Sequence, residues 1–167
     1  MTVNEYNTKL NELRHPILAE GRKYTIDGRR RYSNPLLIAE LAGNVIGLKD
    51  AAEEYMYVLA FDTKNHLLGL FEISHGTVNA SLASAREIYM KLLLLGATYC
   101  IITHNHPSGD TTPSEADLRL TKTIADAGQI LHIPLMDHII IGRGWDGDIQ
   151  YTSFREQGLL KIDDVAS

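Results

Sequence analysis

Apolar residues change their rhythm several times along the chain, and each change marks an element. In SNPLLIAELAGNVI (33–46), Leu37, Ile38, Leu41 and Val45 recur at helical spacing. Ser33 or Asn34 can cap that helix, and Pro35 suits its first turn. EEYMYVLAFD (53–62) is a continuous aromatic and apolar run, as in a buried strand, and HLLGLFEI (66–73) reads as its return after the turn signal DTKN. SAREIYMKLLLLG (84–96) predicts a second helix, with Ser84 and Glu87 as a capping box and Gly96 as its stop. The near-unbroken run TYCIITH (98–104) predicts a central strand. A third helix is expected over 112–128, with a capping box of Thr112 and Glu115, Pro113 in the first position and Gly128 after the end. DHIIIG (137–142) and IQYTSF (149–154) add two strands. This order implies an α/β fold with helices packed on a mixed β-sheet.

Length and composition narrow the picture. A chain of 167 residues fits one domain with a short appendage. Its 44% hydrophobic and 22% charged residues are those of a chain with a core. Residues 1–31 have weak periodicity and read as an N-terminal arm or extension, leaving 32–167 as the domain. No apolar run is long enough to span a bilayer and the first residues lack a leader pattern, so a soluble, cytoplasmic protein is expected. The single cysteine, Cys100, lies inside an apolar run and reads as a small buried hydrophobe in a reducing compartment.

The net charge of −5 gives no general support for nucleic-acid binding. Charge is uneven, however: residues 1–31 carry +3 and the remainder −8. The basic stretch 22–31, with Arg22, Lys23, Arg29, Arg30 and Arg31, is either a phosphate contact or a solvated arm.

The segment THNHPSGDTTPSEADL (103–118) is where chemistry concentrates. Residues i and i+2 of a strand share a face, so His104 and His106 project together where the strand ends. Pro107, Ser108 and Gly109 turn the chain, and the next helix can carry Asp117 back towards the strand end. Two imidazoles and a carboxylate then converge, a donor set suited to zinc with a fourth position left for water. From spacing alone, this metal site and a plain pair of surface histidines are equally good readings.

The wider wording of the segment distinguishes them. HNHPSGDTTPSEAD resembles the JAMM signature of JAB/MPN metalloproteins, His-x-His-Pro, six residues, Ser, two residues, Asp. It is most similar to the RadC branch, and SNPLLIAEL, EEYMYVLAFDTKNHLLGLFEISHGTVNAS, AREI, DHIIIG and SFREQGLL follow that branch in order over roughly residues 33 to 160. The resemblance implies a mixed sheet flanked by helices, the JAB/MPN fold, related in architecture to cytidine deaminases. It implies zinc held by His104, His106 and Asp117, and an upstream glutamate acting as general base. Glu54 is the leading candidate for that base and Glu72 the second. Glu53 should face the other way, and Glu87 is explained as a capping partner. Ser114 matches the motif serine that donates towards a developing oxyanion; a first-turn serine bonded to backbone is the alternative. Asp137 and His138 match the DHI wording of the branch and read as residues supporting the ligands from behind or as a structural pair near the sheet end, and His15, His66, His75 and His132 carry no spacing signal. Thr111 departs from the branch, where proline often follows SGD.

Three functions follow from the resemblance. One is a zinc hydrolase acting on an amide, with a peptide or protein as substrate. Another is a non-catalytic interaction domain. The last is a DNA-associated protein or nuclease, touching DNA through residues 22–31. The single cysteine and the lack of a Pro-Cys-x-x-Cys motif argue against base deamination.

Overall fold

The computed structural model describes residues 1–76 and 84–160. The resembling residues 77–83, and the last residues of the domain expected to reach 167, lie outside that range. Seven strands form one sheet: β1 (Thr2–Leu10), β2 (Pro16–Thr25), β3 (Tyr55–Phe61), β4 (Leu67–His75), β5 (Tyr99–Asn105), β6 (Leu135–Arg143) and β7 (Ile149–Ser153). Their spatial order is β2-β1-β4-β3-β5-β6-β7. β5 and β6 run parallel, and β3 is antiparallel to both β4 and β5. The sheet is therefore mixed, in an α/β fold.

Strand alternation builds a core on each face. Tyr57, Leu59 and Phe61 of β3, Ile101 of β5, and Ile139 and Ile141 of β6 meet the first helix, α1 (Pro35–Glu40). Asn34 caps α1 by accepting from the Leu37 amide, with Pro35 in the first turn. The helix continues as a wider π-helical turn over Leu41–Ile46 and ends at Gly47 in the left-handed region. On the opposite face, Met56, Val58, Cys100, Ile102 and Ile140 meet Ile88 and Leu92 of α2 (Ala85–Leu95), and Leu120 and Ile124 of α3 (Glu115–Leu131). Cys100 is buried there, and burial pushes its thiol pKa up to about 12.

Residues 2–25 form a β-hairpin that extends the sheet. β1 joins β4 in parallel at Glu5 and Leu70. Glu5 is buried and accepts a hydrogen bond from the Tyr24 hydroxyl at 2.9 Å, so a charged residue occupies an inward position of this hairpin.

Two helix boundaries differ from expectation. The capping box of α3 is Ser114 with Asp117, not Thr112 with Glu115. The Thr112 amide is instead taken by the Asp110 carboxylate at 2.9 Å, within the preceding loop. Gly128 does not end the helix; α3 runs to Leu131 and His132 closes it at φ 55°. Gly128 is there because of close approach: a Cβ would lie 2.4 Å from the Tyr89 hydroxyl and 2.7 Å from the Ile133 carbonyl. Gly128→Ala is accordingly expected to destabilise the fold by about 1–3 kcal/mol through overpacking. This outweighs the roughly 1 kcal/mol that alanine gains in helix propensity. Urea unfolding measures the sign, and a stabilised variant would contradict the packing. At α2, Ser84 is the N-cap but its side chain makes no capping bond, while Gly96 ends the helix as expected.

Candidate metal centre

The centre lies where β5 ends on the α2/α3 face. Cys100, Ile102 and His104 alternate onto that face, and His106 continues the series one residue beyond the strand. The antiparallel register pairs Met56 with His104, which carries forward to Glu54 opposite His106. Glu54 stands two residues before Met56 and so shares its face. α3 returns over the strand end with Asp117 in its first turn.

Four side chains therefore converge. His104 Nε2 and His106 Nε2 are 3.0 Å apart. Asp117 Oδ1 is 3.3 Å from His104 Nε2, and its Oδ2 is 3.7 Å from His106 Nε2. Glu54 Oε1 stands slightly farther out, 3.7 Å from His104 Nε2 and 4.0 Å from His106 Nε2. Glu54, His104 and His106 alone place one donor atom each within 4.8 Å of one another, enough to hold a metal ion. Asp117 adds a fourth donor, since it reaches both imidazoles more closely than Glu54 does.

Neighbouring bonds fix how these groups point. His106 Nδ1–H donates to the Asp110 carbonyl at 2.6 Å, which leaves its Nε2 facing the cluster. Asp117 Oδ2 accepts from the Ser114 amide at 2.8 Å and the Ser114 hydroxyl at 2.6 Å. Oδ1 is left to face His104. The loop from Pro107 to Pro113 is pressed onto β6: Gly109 has φ +83°, and a Cβ on Gly142 would come within 2.4 Å of the Gly109 carbonyl. Thr111 fastens it to β7, its hydroxyl 2.9 Å from that of Thr152, so the threonine supplies a tether.

Charge balance at the cluster favours a cation. Burial lowers the His104 pKa to about 4, although Asp117 opposes this. The His106 pKa is raised, chiefly by Asp117, with burial opposing. Burial pushes the Asp117 carboxyl up, but His106, His104 and the Ser114 bonds outweigh it and hold the group below the usual carboxylate range. Two imidazole nitrogens 3.0 Å apart beside an ionised carboxylate suit a bound divalent ion.

The other candidates lie elsewhere. Glu72 accepts from the Tyr57 hydroxyl at 3.1 Å, and Glu53 pairs with His75 at 2.5 Å. Neither Glu53, Glu72 nor Glu87 belongs to the donor cluster found among the described residues. Ser114 is both cap and Asp117 partner, and its single hydroxyl proton points at Asp117. Asp137 accepts from the Ser153 hydroxyl and from the His138 and Arg155 amides, bonds that tie β6 to the turn after β7. The basic stretch 22–31 begins on β2, separated from β5 by β1, β4 and β3. Lys23 is paired with Glu20, Arg29 with Asp27 and Arg30 with Glu40.

One feature was missed in the sequence. Asn105, between the two histidines, points to the other face. Its Oδ1 accepts from the Tyr55 amide at 2.8 Å and its Nδ2 donates to the Glu53 carbonyl at 2.9 Å. It thereby grips the backbone on both sides of Glu54. His138, expected behind the ligands or paired with Asp137, does both: its Nε2 lies 2.8 Å from His104 Nδ1 and its amide donates to Asp137.

A mixed α/β sheet with this cluster at its strand end defines a JAB-type domain with a candidate metal centre. The chain belongs to the RadC-like JAB domain family, whose match covers residues 33–159. It is 43% identical over 107 residues to a UPF0758 protein of Desulfitobacterium hafniense, covering 64% of this chain and 45% of that protein. It is also 46% identical over 105 residues to one of Thermosynechococcus vestitus, covering 63% and 40%. The chain thus spans less than half the length of these curated relatives. No helix among the described residues is long and apolar enough to cross a membrane.

Proposed function

We propose that this domain is a zinc-dependent hydrolase of the JAMM type, acting on an amide carbonyl of a peptide or isopeptide bond. The convergence of His104, His106, Asp117 and Glu54 within 4.0 Å of one another's nearest imidazole supports this reading most strongly. Donors in a tetrahedral zinc site with bonds near 2.0–2.1 Å stand about 3.3 Å apart. The imidazole separation of 3.0 Å, the His104–Asp117 distance of 3.3 Å and the His106–Asp117 distance of 3.7 Å lie on either side of that value. Zinc bound there would supply Lewis acidity and lower the pKa of a water in its open position to about 7.

The residues divide the remaining work. His104, His106 and Asp117 are the ligands, because Asp117 is buried and fixed by its cap. Glu54 is a quarter exposed and set farther back, which leaves room for a water between it and the imidazoles. A carboxylate in that place accepts a proton from the attacking water and returns it to the leaving amine nitrogen. Asn105 holds Glu54 in line through the backbone. Ser114 steadies Asp117; to donate towards an oxyanion, its hydroxyl would first have to turn away from Oδ2. The test is hydrolysis of peptide and isopeptide substrates by the zinc-loaded protein, with activity expected to vanish on chelation and return with zinc. Stoichiometric zinc without cleavage would favour the non-catalytic interaction domain.

A further inference from the structure

We propose that Thr121 and His138 are positioning residues that set which nitrogen of His104 carries its proton, so that the Nε2 lone pair faces the other donors. The inference rests on the reading of His104, His106 and Asp117 as metal ligands. Its starting point is a group that can only accept. The Asp117 backbone carbonyl lies 2.6 Å from Thr121 Oγ1, one helical turn along α3, so the single Thr121 hydroxyl proton points at that carbonyl. The Thr121 oxygen then presents a lone pair to His138 Nδ1, also 2.6 Å away. His138 must carry its proton on Nδ1 and keep Nε2 as an acceptor. That Nε2 is 2.8 Å from His104 Nδ1, which must therefore be the protonated nitrogen of His104. What remains on His104 is the Nε2 lone pair, 3.0 Å from His106 Nε2 and 3.3 Å from Asp117 Oδ1.

Thr121, His138 and His104 are all buried, so bulk water offers no competing partner along this path. His138 is also held in plane by Phe154, with ring centroids 4.6 Å apart and a 21° tilt. Asp117 acts twice. Its carboxylate faces the imidazoles, and its carbonyl dictates the order of protons that turns one of those imidazoles into a ligand. Removing the Thr121 hydroxyl would free His138 to adopt either tautomer. The Nε2–H form would donate to His104 Nδ1 and move the His104 proton onto Nε2, where it blocks coordination.

The test compares wild type, Thr121→Val, Thr121→Ser and His138→Gln in two measurements. One is zinc affinity by competition with a chelator. The other is nitrogen-15 NMR of the histidine rings in metal-free protein, which reads the His104 tautomer directly. Wild type should show His104 protonated on Nδ1. Thr121→Val, close in shape but without the hydroxyl, should lose that single tautomer and bind zinc about 10- to 100-fold more weakly, the range for outer-shell partners of metal-bound histidine. Thr121→Ser should restore both readouts. In His138→Gln, the amide oxygen can accept from His104 and the amide nitrogen can donate to Thr121. This variant should keep the His104 tautomer and most of the affinity; a folded His138→Gln protein that loses either would overturn the relay even if Thr121→Val fails to fold. Wild-type His104 protonated on Nε2, or a Thr121→Val protein with unaltered tautomer and affinity, would overturn the proposal. If wild type shows the expected tautomer but binds no zinc, the proton relay stands and the metal reading fails.

Discussion

Glu54→Gln is expected to lower turnover by about 100- to 10,000-fold, the usual worth of a general acid–base group, while the protein keeps its zinc. Glutamine preserves the size of the side chain and its place after Glu53, where Asn105 grips the backbone. It removes the capacity to take a proton from water and return it to the leaving nitrogen. Steady-state hydrolysis of the substrate cleaved by wild type, with zinc content measured on the same samples, separates the outcomes. Lost turnover with zinc retained identifies a base. Loss of zinc as well would make Glu54 a ligand, a role within reach because its Oε1 lies within 4.0 Å of both imidazole nitrogens. Unchanged turnover would remove Glu54 from the chemistry.

Asp117 carries the second large effect, because its two oxygens have separate tasks. Oδ2 accepts from the Ser114 amide and hydroxyl, and Oδ1 faces His104. Asp117→Asn can keep an oxygen towards Ser114, which places the amide nitrogen, a donor, against the His104 lone pair. The helix cap is then retained and the ligand lost. Zinc affinity should fall by more than about 100-fold, beyond the range typical of an outer-shell partner, with little change in unfolding free energy. Asp117→Ala removes both tasks and should also cost about 1 kcal/mol of stability through the cap. Chelator competition and urea unfolding on the two variants check this. An asparagine variant that binds zinc like wild type would show that the carboxylate is not a ligand.

The donor set was legible because it is local. His104 and His106 share a strand face by alternation, and Asp117 follows within one loop and one helical turn. The central strands were legible for a similar reason, since β3, β5 and β6 are buried on both faces and read as unbroken apolar runs. The hairpin of residues 2–25 was harder to read, because an inward position of β1 is Glu5 and most of β2 is exposed. The frame of the α3 cap was ambiguous, since Thr112 and Ser114 both precede an acidic residue by three positions. Only the Asp110 bond to the Thr112 amide decides it. Asn105 could not be read at all, and of His138 only its place near the sheet end, not its bond to His104. Their partners lie 50 and 34 residues away, and the pairings depend on sheet register rather than on spacing.

The most direct test of the account is elemental analysis of the purified protein, exposed to zinc and then dialysed, for wild type and His106→Ala. Removing one imidazole leaves His104 and Asp117 without the third ligand. The prediction is about one zinc per wild-type chain, as for a single three-ligand site, and little or none in the variant. Wild type without zinc, or a variant that retains as much as wild type, would contradict a metal centre at the end of β5.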